Sequence, residues 1–436
     1  MKIVKMSLVA AMVMGANVFA IDNIKVSGDA KVFYNTNNAD TLNTAGDAVV
    51  HGNSLFDQTS SAADTALRLG VTGDLLKGVS FGMTANAVST LGLENNLVAN
   101  TWTGAHSVAG ATTGVDDAAW VSELWLAATM GKTTAKVGRM ELDTPLAFSE
   151  KWSVATNTFD AAVLINQDLP DTTLVAAWVG KGNGVNHLAP LVTAKDNRAA
   201  VGIDLFMADS ANFSTFGDQG AYAVAAVNNS FKPLTAQAWY YNVVNVADAY
   251  WLQADIDCSL VKGVKIGAQY ANIDPKGSIA VPATSLTLGD LDDSKAYAVK
   301  LGYEGIEGLK IQAAYSDVDN DGTLKIANTA TNNLGTAQSK LYTEAWWNYG
   351  YVGAPGAESI NVTAEYAASF AKFGAYYTTV DNDKAGSTAN VDEVTLTASK
   401  SFGPLDTTLA YVSTDADDQN LGDRYDSVQA YLTLNF

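Results

Sequence analysis

Every second residue from Val428 to Phe436 is apolar (Val428, Ala430, Leu432, Leu434, Phe436), while Ser427, Gln429, Thr433 and Asn435 are polar. Period two makes this an extended strand with one oily and one wet face. A strand that runs out on Phe436 brings no further chain to cover the oily face. A lipid bilayer can cover it, provided the sheet closes on itself, because an open edge would leave backbone groups unpaired in hydrocarbon. A closed sheet requires the same pattern along the whole chain.

The pattern recurs. Ile24, Val26, Ala30, Val32 and Tyr34 fall on one face, with Lys25, Ser27, Asp29 and Lys31 on the other. Leu67, Leu69 and Val71 alternate with Arg68 and Thr72, and after Lys77-Gly78 the chain returns through Val79, Phe81, Met83 and Ala85. Similar hairpins turn at Lys262-Gly263 and Glu307-Gly308. Between such tight turns lie polar stretches, expected to be outer loops, at residues 36–62, 89–117, 139–157, 181–219, 272–293, 317–357, 380–390 and 414–423. Short connections alternating with long ones predict an antiparallel barrel. About nineteen segments alternate, but a strand over Arg198–Met207 would put Ala221–Val227 on the wrong side for its following turn. Parity therefore assigns Arg198–Met207 to the fourth long loop. The expected fold class is all-β, a transmembrane antiparallel β-barrel of about eighteen strands with an inward-folded third loop.

Residues 1–20 stand apart. Lys2 and Lys5 precede an apolar run from Met6 to Ala16, with small Val18 and Ala20 where a signal peptidase reads, so 1–20 is predicted to be a secretory signal peptide and 21–436 a single barrel domain. No later stretch is apolar for long enough to form a membrane helix. With 46 acidic and 26 basic residues, nucleic acid is excluded as a partner, since phosphate binding needs basic surface. Cys258 is the only cysteine, so no intrachain disulfide forms, and its phase with Leu252, Ala254 and Ile256 predicts that it faces lipid.

A wide barrel is an open hole unless something folds into it. The run from Lys136 to Trp152 begins as strand, then loses alternation and packs charges of both signs beside aromatics. As an inward loop it would place Arg139, Glu141, Asp143, Glu150 and Lys151 at a pore constriction, opposed by lumen-facing Lys31, Arg68, Lys265 and Lys300. Rings of charge at a constriction select ions by sign. Aromatics at strand ends (Trp120, Trp125, Trp178, Tyr240, Tyr250, Trp251, Tyr270, Tyr297, Tyr303, Tyr315, Tyr366, Tyr376, Tyr377, Tyr411, Tyr431) are expected to form an interfacial girdle.

The residues 124–146 (L-W-L-A-A-T…K-V-G-R-M-E-L-D-T-P-L), the residues 158–178 (T-F-D-A-A-V-L-I-N…L-P-D-T-T-L-V-A-A-W) and the terminal aromatic strand resemble the major outer-membrane porins of ε-proteobacteria and the related OprD-like porins. The resemblance spans most of the chain. It implies an eighteen-stranded barrel in the bacterial outer membrane, often a homotrimer, whose inward third loop carries Arg139, Glu141 and Asp143, with Glu150 and Lys151 carried over less directly. It also makes the C-terminal Phe436 an assembly signal.

Asp317, Asp319 and Asp321, followed by Gly322, match the start of a calcium loop, but Asn328 stands where a bidentate Glu belongs. Apart from that candidate Ca2+ site, no cofactor is expected. His51, His106 and His187 fall in separate predicted loops, and no catalytic set can be assembled from spacing. The leading expectation is a passive diffusion channel for ions and small hydrophilic solutes, weakly cation-selective, with both termini periplasmic and lipid and lipopolysaccharide around it. Two alternatives remain open, a substrate-selective channel for amino acids or carboxylates and a porin doubling as a surface adhesin. An enzyme is not expected.

Overall fold

The computed structural model describes residues 22–42, 49–50, 54–89, 91–92, 97–98, 118–152, 154–183, 213–215, 219–244, 246–276, 280–281, 286–287, 292–329, 337–384, 387 and 389–436. The predicted signal peptide, Arg198–Met207 and the three histidines lie outside the described residues.

Eighteen long strands form one closed antiparallel sheet. They are β1 (Asp22–Asn37), β2 (Ser61–Leu76), β3 (Val79–Ser89), β4 (Ala118–Met130), β5 (Thr133–Met140), β6 (Phe159–Asn166), β7 (Thr172–Gly182), β8 (Ala221–Asn228) and β9 (Leu234–Val243). The wall continues through β10 (Ala247–Asp257), β11 (Val264–Pro275), β12 (Ser294–Ile306), β13 (Leu309–Val318), β14 (Ala357–Ala367), β15 (Lys372–Asn382), β16 (Val391–Phe402), β17 (Leu405–Ala416) and β18 (Tyr425–Asn435). Each pairs with its successor, and a two-residue strand, Ser214–Thr215, adds to the end of β7.

β18 closes the wall on β1, with Asp29 opposite Asn435 and Asn37 opposite Ser427. Beyond the strand, the Phe436 N–H donates to the Gly28 carbonyl over 3.0 Å and the Gly28 N–H to the Phe436 carbonyl over 2.8 Å. A Cβ at position 28 would lie 2.4 Å from the Arg68 carbonyl oxygen and 2.7 Å from the Phe436 ring. Only glycine leaves room there for the ring that caps the seam.

The tight turns sit at one end of the barrel and the long loops at the other. In the Lys77-Gly78 and Glu307-Gly308 turns the glycine has φ of +79° and +76°, a backbone state that reverses a hairpin without a Cβ clash.

Alternation sends one residue in two outward. Leu124, Leu126, Val137, Val224, Leu252, Ile266, Leu301, Val362, Leu396 and Leu409 are all exposed on that face. Apolar exposure on this scale needs a nonaqueous surround. Toward the long-loop end the outward face changes character. Tyr240 donates its hydroxyl to Asp248 (2.9 Å), Tyr297 to Asp317 (2.9 Å), Tyr315 to Glu358 (3.0 Å), Tyr377 to Asp392 (3.0 Å) and Tyr411 to Asp426 (2.8 Å). Rings below and carboxylates above define a level where oil gives way to water.

The expected girdle is only partly outward. Trp178, Tyr250, Tyr270, Tyr297, Tyr366, Tyr377 and Tyr411 are exposed, but Trp120 and Trp251 are buried inside the barrel. Tyr376 donates to the inward Glu365, and Tyr431 packs on Phe33, with ring centroids 4.8 Å apart. A one-residue change of phase sends the same aromatic to the lumen, where two loops give it something to pack against.

Candidate functional site: the luminal constriction

Loop 3 (141–158) folds into the barrel. Thr144 and Ala147 close a tight turn through the Thr144 N–H (3.2 Å) and Oγ1 (2.7 Å), both donating to the Ala147 carbonyl, and the Ser149 N–H donates to Leu142 (2.8 Å). The turn drives Leu146 into an apolar cluster with Trp239, Tyr241 and Trp251 on the inner wall. Phe148, Val154 and Ala155 are buried as well. Four apolar side chains that would be stranded in an external loop find cover inside, which is why the loop turns inward.

A second loop also fills the lumen, against the expectation that the 317–357 stretch is an outer loop. Loop 7, in its described residues 319–329 and 337–356, buries Ile326, Leu341 and Val352 against the inner wall. Its Tyr342 donates a hydroxyl to Asp255 of β10 (2.9 Å) and its N–H to Gln269 of β11 (3.1 Å). Lys300 of β12 bonds the same Asp255 (2.8 Å) and lies 4.0 Å from the Tyr342 ring centre. A Cβ at Gly267 would come within 2.6 Å of the Tyr342 hydroxyl, so the wall is notched there to admit the loop. Farther along, the buried Glu393 of β16 receives the N–H groups of Trp347 (3.1 Å) and Asn348 (2.6 Å).

Burial alters the titration of loop 7 itself. The Glu344 carboxyl is pushed well above its ordinary value by desolvation, although the Ser339 N–H bonds it. Lys325 is lowered by burial, and Tyr351, desolvated and bonded to Asp418, is raised.

The inner faces of β1 to β5 carry a second cluster of charges. Arg68 bonds Asp29 through Nε (2.8 Å) and Glu141 through Nη1 (3.2 Å), and Lys151 reaches the second Glu141 oxygen (2.9 Å). Lys31 lies 4.0 Å from Asp29. Lys136 stands 4.1 Å over the Trp125 ring, and Thr84 donates to Glu123 (3.0 Å). The Lys151 side chain is 70% exposed.

The expected constriction set therefore divides. Glu141 and Lys151 meet Arg68, which also bonds Asp29 beside Lys31. Asp143 sits on loop 3, exposed and paired with Lys340 of loop 7. Glu150 is buried between the loops. Arg139 departs from the constriction altogether, because it follows the exposed Val137 by two residues and pairs with the exposed Leu124, which puts it on the outward face. There its Nε bonds Asp160 (2.8 Å) and its guanidinium covers the Phe213 ring at 3.4 Å. Lys300 and Lys265 face inward on the far wall, Lys265 paired with Asp257 near the short turns.

Asp317, Asp319 and Asp321 do not converge. Asp317 points outward to Tyr297, and Asp319 accepts the Asp321 N–H (3.3 Å). Among the described residues no group of three or more His, Cys, Asp or Glu side chains is placed to hold a metal. Asn328, which stands where a calcium ligand belongs, instead bonds loop 3.

Reading the sequence missed Asp29, Glu123 and Lys136 as members of this inner charge cluster and loop 7 as a luminal element. A signal existed in Trp346-Trp347, Tyr349, Tyr351 and Val352, an apolar density unusual for a loop in water.

No family model matches the chain, and no curated protein matches it. Solved structures do. Pseudomonas aeruginosa OccK8 (OprE) superposes with a TM-score of 0.66 at 16% identity, over 95% of this chain and 98% of that one. OccK11 (OpdR) gives 0.66 at 10%, over 95% and 96%, and OccK3 (OpdO) 0.63 at 14%, over 95% and 96%. The chain has the Occ barrel fold. At these identities the Occ likeness establishes architecture alone; it bears on the broader, OprD-like half of the expected resemblance, and none of these three is an ε-proteobacterial protein.

Proposed function

We propose that the protein is an outer-membrane porin, a passive channel for ions and small hydrophilic solutes. The observation that carries this reading is the opposition of faces in one closed wall, with Leu301 and Val362 outside and Lys300, Arg68 and Asp29 inside. In this reading the short turns and both termini are periplasmic, and the tyrosine–carboxylate row sits at the lipopolysaccharide headgroups. A homotrimer and the closer ε-proteobacterial likeness rest on the sequence runs alone.

Two fields act on permeant ions. The chain is acidic overall, and exposed carboxylates at the long-loop end raise the local concentration of cations. The passage itself sets Lys31, Arg68, Lys136 and Lys151 against Asp29, Glu123 and Glu141. With the constriction nearly balanced, the mouth decides, giving weak cation preference that fades as salt screens it. Planar-bilayer recording tests this: absence of conductance refutes the channel, and a reversal potential of anion sign at low salt refutes the preference.

A substrate-selective channel is the second reading, favoured by one feature, the juxtaposition of both charge signs at Arg68, Glu141 and Lys151. Conductance that one amino acid or carboxylate saturates and blocks would support it over simple diffusion. An adhesin role could coexist with either, and loop deletions that abolish adhesion but spare conductance would separate it.

A further inference from the structure

Glu150 does not face the passage. Its side chain lies between the inward loops, 2% exposed, and receives Asn328 Nδ2 (3.0 Å) and the Gln338 N–H (3.2 Å) from loop 7 and Trp152 Nε1 (3.2 Å) from its own loop. Asn328 reinforces the joint, donating to the Phe148 carbonyl (2.9 Å) and accepting the Phe148 N–H (3.1 Å). The Thr329 N–H donates to Leu146 (2.9 Å). Donors aimed at a carboxylate in a dry site make strong bonds that water cannot replace without opening the joint.

Loop 7 is fixed to the wall on its far side by Glu393, while loop 3 carries Glu141 and Lys151 to the passage. The stretch between those two charges contains Leu146 to Glu150, the part bonded to loop 7. We infer that loops 3 and 7 form a single septum, and that Glu150 is the positioning residue whose bonds to Asn328 and Gln338 set the width of the passage. This rests on the channel reading.

Single-channel conductance of the full chain in planar bilayers tests the inference, with heat-modifiable migration on gels reporting barrel closure. Glu150→Ala is expected to raise conductance about twofold and to increase open-channel noise, because a freed septum moves on a slower timescale than ion transit. Glu150→Gln keeps the acceptor oxygen for Gln338 and Asn328 and loses only the Trp152 bond, so it should stay close to wild-type conductance, which a general loss of stability would not predict. Asn328→Ala removes the joint from the other loop and carries the test should Glu150→Ala not close. A conducting wild type beside closed variants of unchanged conductance overturns the septum alone. A wild type without conductance overturns the channel reading and the septum with it.

Discussion

Asn328 Nδ2 lies 3.0 Å from Glu150 Oε1 across 178 residues of sequence, and this contact joins the two loops that fill the barrel. In the proposed channel, the joined loops would present Glu141 and Lys151 to the inner faces of β1 to β5. Two predictions concern the loops and two the wall.

Arg68 faces Asp29 and Glu141 together. Replacing it with Gln leaves two carboxylates without their shared cation. A unit charge about 7 Å from a permeant ion is worth about 0.6 kcal/mol in water, with opposite sign for a cation and an anion, so the cation-to-anion permeability ratio should rise by up to about sevenfold at low salt. Reversal potentials in a salt gradient measure this, and an unchanged ratio would place Arg68 outside the conducting path.

The Glu344 carboxyl is held above its ordinary value of 4.5 by burial, with Glu150, Lys325 and Tyr349 as charged or titratable neighbours. A carboxyl raised on folding binds its proton more tightly in the folded state. Its stabilising contribution is therefore full in acid and is lost as pH rises through the raised value. Lys325, lowered by burial, works in the opposite direction in the alkaline range. Protease sensitivity of loop 7 should increase with pH in the wild type and lose that slope in Glu344→Gln. The same slope in both proteins would clear Glu344 of the role.

Leu301 of β12 is 59% exposed on the outward face, whereas Gln312 of β13 faces the lumen. Leu301→Arg should cost about 2–4 kcal/mol in lipid, while Gln312→Arg should cost little because water solvates it. Urea unfolding in lipid vesicles compares the two, and equal costs would contradict a lipid surround.

At the seam, Gly28→Ala places a Cβ within 2.4 Å of the Arg68 carbonyl oxygen and against the Phe436 ring. The strand must shift to admit it, at about 1–3 kcal/mol. The temperature at which the barrel loses its fast gel migration should fall. Gly28→Ala combined with Phe436→Ala should still be destabilised, since the carbonyl contact remains.

Much of the wall was legible because a strand writes its two environments directly into alternate residues. Leu67, Arg68 and Leu69 need no distant partner to declare which of them faces out. The same rule applied to Arg139 would have assigned it outward with Val137; grouping it with the charged run that follows carried it to the wrong side. Tyr431 erred in the other direction, an aromatic taken for the girdle although its phase in β18 points it to Phe33.

Alternation along the sequence by itself determined the container: an all-β chain, its oily and wet faces, and the strand count once parity was applied. Tertiary structure alone decided how the container is filled. Loops have no period, so the inward path of loop 7, the notch at Gly267 and the burial of Glu150 against Asn328 depend on which surfaces meet after the sheet has closed. A carboxylate at a constriction and a carboxylate inside a joint are the same letter in a sequence, and only their neighbours in space separate them.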